Sequence, residues 1–252
     1  RSGCASGAAY EWDFGDGTGS SLFQNTSHFY NAPGTYSWKL TTRANTGFTS
    51  IDTVAGGYGE GAPARQASLT TPVAVARDPQ GRGVYLVDAL GGGSLLRFLN
   101  TSNTTVTIAG RVVSPGTVRV IGGGGAELGE NIPAWQADLG FVVALATNAS
   151  GDLLYFADQA AGQVGVINTA AVNTTVAGAP LNAGNVRTFA TGFGGNLNGI
   201  AVAATGEVIV ADATAGVNKI FKLSPDGRSA TAIAGNGVTT RPTDAAPASP
   251  TD

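Results

Sequence analysis

The sequence of 252 residues contains no methionine, one histidine, one cysteine and few charged residues. Charged residues make up 12% of the chain, against about a quarter in average proteins. The 14 basic residues form no basic run. A nucleic-acid partner is therefore excluded, because such a surface needs clustered Lys and Arg to displace counterions. No apolar run approaches the roughly 18 residues that cross a bilayer, so no membrane span is predicted in this segment.

The scarcity of histidine limits the chemistry that the chain can perform. Residues after His28 lack the commonest zinc ligand and proton shuttle, and a Ser-His-Asp triad is impossible there. A carboxylate-only calcium site or a glycosidase pair of acids needs no histidine and stays open. The 17 acidic residues are scattered mostly at turns. We therefore predict a protein that is not an enzyme, with no catalytic, metal-binding or cofactor-binding residues and no cofactor.

Glycine, by contrast, is abundant. The 38 glycines are about twice the ordinary share, and Thr, Asn and Ser are frequent between β-branched residues. This composition is typical of many short strands joined by tight turns. The hydrophobic content of 42% is sufficient for a packed core.

One segment recurs three times, at residues 81–88, 151–158 and 206–212. Each copy has a glycine, a short apolar run and an aspartate, and each is followed by an Ala-Gly tail, at residues 108–110, 176–178 and 233–235. Two Pro-Ala segments, at residues 63–69 and 133–139, precede the first two copies. A recurring unit of short strands that cannot bury its own apolar face indicates a stacked or radial β architecture.

The repeat predicts four-stranded blades. Each blade would contain a strand, a glycine turn, a second strand ending in aspartate, a third strand, and a fourth ending in Ala-Gly. This order resembles the NHL-repeat family of β-propellers, and the Gly-rich residues 55–64 look like a loop of that family. The resemblance implies three blades plus a fragment at residues 247–249. The third unit lacks a Pro-Ala segment.

Three aspartates and three aromatic residues in the blades have specific predicted roles. Asp88, Asp158 and Asp212 could form a ring of carboxylates around a channel. We favour a structural role, in which each accepts backbone N–H groups from the following turn. We expect Tyr85 and Tyr155 to pack between blades. The third aromatic, in the second Pro-Ala segment, is expected to be exposed; it is Trp135.

The first fifty residues differ from the repeats. Residues 10–18 and 36–41 alternate apolar and polar side chains, which indicates strands with one solvent-exposed face. The motifs at residues 12–17 (Trp-Asp-Phe-Gly-Asp-Gly), 28–30 (His-Phe-Tyr) and 33–36 (Pro-Gly-Thr-Tyr) resemble the PKD family of immunoglobulin-like domains. That resemblance implies an extracellular spacer or adhesion module. Only eleven residues precede Trp12, so we expect the C-terminal portion of such a domain.

These observations together predict an all-β chain. A partial immunoglobulin-like β-sandwich at residues 1–47 is followed by four-stranded β-propeller blades at residues 48–252. We expect His28 to be a turn or packing residue. Asp13 and Asp16 either contact a calcium ion or, as we favour, accept backbone N–H bonds within their turn. Cys4 is either a free thiol or the partner of a cysteine outside this sequence.

Five Asn-x-Ser/Thr sequons favour an extracellular glycoprotein. None has proline in the middle position, and all fall where a turn is plausible. A chain rich in Asn, Thr and Ser also produces such triplets by chance. We predict N-linked glycans as partners, attached at Asn25, Asn100, Asn103, Asn148 and Asn173.

Both ends of the sequence are expected to stop inside a folding unit. The missing strands would come either from other segments of the same long protein or from other copies, which would form a homopolymer. Residues 241–252 either form the first loop of a further blade or, through their Ala-Pro and Ser-Pro pairs, carry O-linked sugars. The leading hypothesis is a structural or adhesive building block of a cell-surface array, appendage or filament. The alternatives are a ligand-binding propeller on a PKD-like spacer and, third, a propeller lyase or glycosidase.

Overall fold

A computed structural model describes residues 9–18, 20–21, 26, 28–30, 36–37, 39–43, 61 and 63–238. The chain divides into two compact units, Arg1–Val54 and Ala55–Asp252. Within the described ranges, the only regular elements are strands and two single-turn 3-10 helices, Ala64–Gln66 and Ala134–Gln136. The predicted all-β class is confirmed.

The first unit contains a three-stranded antiparallel sheet. Its strands are β1 (Ala9–Asp13), β2 (Ser20–Ser21) and β3 (Lys39–Arg43), in the order β2-β1-β3. Trp12 lies directly opposite Leu40 on β3. After β1 the chain turns through Gly15, whose φ of 73° is left-handed. A Cβ at this position would collide with the carbonyl oxygen of Ser37, so the turn requires glycine.

The described residues of the second unit form seventeen strands. In chain order these are β4 (Pro72–Arg77), β5 (Gly83–Leu90), β6 (Gly93–Asn100), β7 (Val106–Ile108), β8 (Arg111–Val113), β9 (Val118–Gly122), β10 (Ile132–Pro133), β11 (Val142–Thr147), β12 (Leu153–Asp158), β13 (Gln163–Asn168), β14 (Thr174–Val176), β15 (Ala179–Leu181), β16 (Asn185–Thr191), β17 (Leu197–Val202), β18 (Val208–Asp212), β19 (Lys219–Leu223) and β20 (Ala230–Ala234).

Three antiparallel sheets contain thirteen of these strands. The sheet orders are β4-β5-β6-β9, β11-β12-β13-β16 with β10 added beyond β16, and β17-β18-β19-β20. We call them blade 1, blade 2 and blade 3. The first strand of blade 2 packs against the first strands of both other blades. The sheets therefore stand side by side along their first strands, which is the arrangement of propeller blades, and the predicted blades are confirmed.

The same irregularity recurs at the start of every blade. Pro72, Val142 and Leu197 lie opposite the aspartates that end the second strands. The register shifts directly afterwards in each case, at a β-bulge. A bulge adds local twist to a strand pair. Its recurrence gives an exact alignment of residues between blades.

The Ala-Gly tails correct one prediction. In blades 1 and 2 they do not end the fourth strand but form the turns of two additional hairpins, β7–β8 and β14–β15. Ala109 and Gly110 have φ of 47° and 71°, and Ala177 and Gly178 have φ of 53° and 75°. Two consecutive positive φ values are the signature of a type I′ hairpin turn. Only the third tail, at residues 233–235, follows the predicted pattern, since β20 ends at Ala234.

Apolar side chains from adjacent blades form the core. One cluster joins blades 1 and 2 and contains Tyr85, and a second joins blades 2 and 3 and contains Tyr155. The rings of Tyr85 and Phe98, and of Tyr155 and Phe189, meet edge to face. The expectation that both tyrosines pack between blades is confirmed. On its other side, blade 1 is covered by Ala64, Ala67 and Leu69 of the first Pro-Ala segment.

Several predictions fall outside the described residues. These are the role of Cys4, the glycan at Asn25, most of the Gly-rich loop at 55–64, and the blade fragment and tail at 241–252. Residues 44–60 are also outside, so the domain boundary after residue 47 stays a prediction.

Candidate functional site

The three repeated aspartates are buried and hold the blade corners. Asp88 Oδ1 accepts hydrogen bonds from the backbone N–H groups of Thr70 and Thr71, both at 2.8 Å. Asp158 accepts from Phe141 N at 3.1 Å, and Asp212 accepts from Gly194 N at 3.0 Å. In all three blades, the donor precedes the first strand. These carboxylates thus tie the end of the second strand to the chain that enters the blade.

This pattern refines the prediction about the following turn. Asp158 and Asp212 also accept N–H groups there, from Ala161 at 3.2 Å and Thr214 at 2.9 Å. Burial opposes ionisation of Asp212, but the hydrogen bonds from Thr214 and Gly194 outweigh it and hold its pKa below the usual value. Asp88 instead pairs with Arg97 Nη2 at 2.9 Å. The carboxylates are engaged within the protein and do not form an open ring.

A fourth buried carboxylate, that of Asp78, lies at the contact between blades 1 and 2. Asp78 accepts Arg82 Nε at 2.8 Å and Arg82 Nη2 at 2.9 Å, a two-pronged ion pair. Arg82 also donates to the carbonyl oxygen of Gly151 in blade 2. Burial, with the nearby charge of Asp78, raises the pKa of Tyr85 to about 12. The cluster cross-links the two blades.

Asn100 corrects the predicted set of glycan acceptors. Its side chain is fully buried, and its Nδ2 donates both hydrogens, to Thr104 O at 2.8 Å and Val113 O at 2.9 Å. A sugar on this nitrogen has no room in the fold. Asn168, which is not in a sequon, makes the equivalent bonds in blade 2, to Val172 O and Leu181 O. The repeat, and not a glycan, explains the asparagine at position 100.

This pair of asparagines was missed by sequence reasoning as a structural feature. Each closes the long connection that carries the additional hairpin of its blade. The signal was present, because Leu99-Asn-Thr101 and Ile167-Asn-Thr169 share an apolar-Asn-Thr triplet at the end of the third strand.

Three other sequons lie at accessible turns. Asn103 and Asn173 are exposed, and Asn148 is half-buried. Asn173 Oδ1 accepts Ala183 N at 2.9 Å, and Asn148 Oδ1 accepts Asp152 N and Leu153 N, both at 3.0 Å. In each case, the backbone bond uses the side-chain oxygen, and the nitrogen is the atom that would carry a sugar.

In the first unit, His28 contacts Asp16 and two aromatic rings. Its Nε2 lies 2.6 Å from Asp16 Oδ2, and its ring stacks on Phe14 at 4.1 Å and meets Tyr30 edge-on. Hydrogen bonds from Thr18 and then His28 lower the pKa of Asp16 to about 2. Asp13 Oδ1 accepts Gly15 N at 2.9 Å. These contacts agree with packing and turn roles for the three residues.

A cavity with a polar rim and an apolar floor lies on blade 2. It encloses about 220 Å³ between the loop at residues 127–130 and the sheet, above Phe156 and Val186. Arg187 Nε lies 3.4 Å from Glu130 Oε2, which closes one side. The volume is below the range of about 300–1,000 Å³ that is common for small-molecule sites.

In the part of the chain that the structure describes, no three His, Cys, Asp or Glu side chains come together to hold a metal ion. The same residues include no helix of the length and apolarity needed to cross a bilayer. Trp135 is exposed, as expected, and the guanidinium of Arg111 lies 5.0 Å from the centre of its ring.

Comparison with known proteins identifies the first unit. A family model described as a PKD domain matches residues 3–55, which confirms the resemblance there. No curated protein matches the chain.

Several solved structures are similar at low identity. A chain of the nidogen/laminin complex is 15% identical over 65% of this chain and 48% of its own, with a TM-score of 0.43. A gluconolactonase from Xanthomonas campestris is 15% identical over 75% of this chain and 52% of its own, with a TM-score of 0.44. Hydrazine synthase of Kuenenia stuttgartiensis is 15% identical over 64% and 34%, with a TM-score of 0.40. The match spans about half or less of each structure, and similarities this weak carry no argument about function.

Proposed function

We propose that this chain is a non-catalytic extracellular module, a structural or adhesive building block of a cell-surface array, appendage or filament. One observation carries the proposal. The buried carboxylates of the described blades, Asp78, Asp88, Asp158 and Asp212, all bind backbone N–H groups or arginine within the fold. They serve as the anchors of the blades. The PKD match supports the extracellular location, since such domains are typically found outside the cell.

We also propose N-linked glycans at Asn103, Asn148 and Asn173. Expression of the chain behind a secretory leader in a eukaryotic host tests this directly. Peptide mass spectrometry should find glycan at one or more of these three asparagines and none at Asn100. Unmodified asparagine at all three would remove the glycoprotein part of the proposal.

The proposal that the chain is not an enzyme is tested by measuring the hydrolysis of candidate substrates. Some similar structures are described as gluconolactonases, so sugar lactones with and without Ca²⁺, Mg²⁺ or Zn²⁺ are the appropriate substrates. Lactone hydrolysis is expected at the buffer rate. Faster hydrolysis that scales with protein concentration would contradict the proposal, and loss of that activity in Asp158→Asn would assign it to a corner carboxylate.

A ligand-binding propeller is the second candidate, and the cavity above Phe156 is the observation that favours it. Its lining combines acidic side chains with an apolar floor, which suits a small polar group and not an extended ligand. Glycan or peptide arrays would detect such binding, and Arg187→Ala should weaken it if the cavity is responsible.

A further inference from the structure

The first strand of each blade inserts an apolar residue into the preceding blade. Val142, at the start of β11, is fully buried with Val87 and Leu96 of blade 1. Its backbone N–H also donates to Ser94 Oγ at 2.9 Å, which fixes the contact between the two blades. Leu197, its equivalent at the start of β17, is fully buried with Ala157 and Val164 of blade 2. The same inserting position is therefore used at both contacts between blades.

Blade 1 has an inserting residue that no blade among the described residues receives. The equivalent position is Pro72, which is exposed. Three residues further along the first strand, blades 1 and 2 differ more clearly in the exposure of the side chain. Leu145 of blade 2 is only 8% exposed because blade 1 covers it, whereas its equivalent Val75 is 72% exposed. The side of β4 that carries Pro72 and Val75 thus has the chemistry of a blade contact without a neighbouring blade among the described residues.

Blade 3 has the complementary feature. Ala211 and Ile220 are the equivalents of Val87 and Leu96, because each pair lies opposite on the second and third strands one residue from the corner aspartate. In blade 3, these two residues and Ala234 line a depression of about 250 Å³ that is open to solvent. The receiving site of a blade contact is formed, and no described residue fills it.

Charged side chains lie at the rim of both surfaces. Thr147 at the end of β11 donates to the carbonyl oxygen of Arg77, so the ends of successive first strands lie together. Arg77, Thr147 and Val202 occupy equivalent positions at the ends of the first strands of blades 1, 2 and 3. A blade 1 docked on blade 3 would bring Arg77 to the end of β17, beside Glu207. Glu207 is partly exposed and contacts Lys222 at 2.9 Å.

We propose that a second copy of this chain docks head to tail, with Pro72 and Val75 of one copy on the depression at Ala211 and Ile220 of the next. This inference rests on the proposed structural function and names its partner and surface. Because the two surfaces differ, the contact is heterologous. Repetition of such a contact produces a ring or an open filament.

The first test is the mass of the unmodified 252-residue chain. Light scattering after gel filtration should show a mass that rises with concentration above the 25.1 kDa of one copy. Val75→Arg should weaken association at least tenfold, because it places a charge in an apolar contact. Leu128→Arg is the matched control, since Leu128 is 82% exposed on a loop away from both surfaces and should leave the mass unchanged.

The second test distinguishes the inserting surface from the receiving surface. Val75→Arg blocks the inserting surface, and Ala211→Arg fills the receiving one. Each variant alone should be monomeric, but an equimolar mixture should form dimers and nothing larger, since each copy keeps one intact surface. Circular dichroism melts establish that both variants fold.

Two results would overturn the inference. One is a single-copy mass for the unmodified chain at several hundred micromolar. The other is association that Val75→Arg leaves unchanged. Neither affects the proposed function, which fails separately through lactone turnover, so the two failures are distinguishable.

Discussion

At the scale of single residues, buried polar groups explain more of this chain than exposed ones. Asn100 and Asn168 make the same bonds at the same relative positions, and the aspartates at the blade corners do likewise. A buried polar group must be hydrogen-bonded or its desolvation is uncompensated. The same polar residue therefore recurs wherever a blade presents the same backbone groups for hydrogen bonding. Such residues are markers of the repeat.

Replacement of Asn100 by alanine should destabilise the second unit. The carbonyl oxygens of exposed Thr104 and buried Val113 would each lose a donor, so we expect a cost of about 1–3 kcal/mol in the free energy of unfolding. Asn103→Ala, three residues away and exposed, is the control and should cost less than about 0.5 kcal/mol. Urea unfolding of both variants provides the comparison. Equal stability of the two would show that the Asn100 bonds are not formed.

Asp16 gives the first unit a dependence on acid. Its pKa is about 2 in the folded chain and 3.8 in the unfolded chain, so the folded form binds its proton less readily. The stabilisation is complete above pH 3.8 and is lost as the pH falls towards 2. Thermal melts of the first unit between pH 5 and 2 should therefore show falling stability. Asp16→Asn should flatten that dependence, and a variant as acid-sensitive as the original would contradict it.

At the scale of elements, the sequence predicted the blades but not the two hairpins that are added to blades 1 and 2. The glycine, apolar run and aspartate recur because the turn, the buried strand and the corner each need that residue type, so the pattern was readable. The two additional hairpins were not predicted. Ala109 and Ala177 sit at left-handed φ, where Gly or Asn is usual, so an Ala-Gly pair does not signal a type I′ turn.

The candidate glycan sites also show what local sequence cannot predict. A sequon is a local pattern, whereas the burial of Asn100 depends on Val113, thirteen residues along the chain. Local sequence can place an asparagine at a turn, but it cannot show that the turn folds back over it. The corner aspartates were correctly interpreted as structural. Their principal donors, seventeen or eighteen residues upstream, required the strand register.

The corner of blade 1 provides a test at this scale. Asp88→Asn keeps an oxygen for Thr70 and Thr71 but leaves the buried Arg97 without its ion partner. Loss of one member of a buried pair costs about 3–5 kcal/mol. Asp138→Asn is the control, because Asp138 is exposed and accepts only a local bond from Gly140. Chemical denaturation should separate the two variants by more than about 2 kcal/mol; similar midpoints would indicate that Asp88 is not paired.

At the scale of the whole molecule, the blades are related by one repeated contact. Both observed contacts have the same parts. An inserting residue at the start of one blade packs on a receiving pair of the blade before it, and a bulge directly follows the inserting residue. Stability in such arrays comes from nearest-neighbour surfaces, and terminal units differ from internal ones. The exposed Val75 and the open depression at Ala211 are surfaces that no blade among the described residues covers.

The side-by-side stacking of blades is tested most directly by nuclear Overhauser effects between methyl groups. Contacts between Val142 and Leu96, and between Leu197 and Val164, would each join residues of two different blades. The account predicts strong effects within both pairs in the folded chain. Absence of both, with the methyl groups of Val142 and Leu197 contacting only their own sheets, would contradict the radial arrangement on which the proposed function rests.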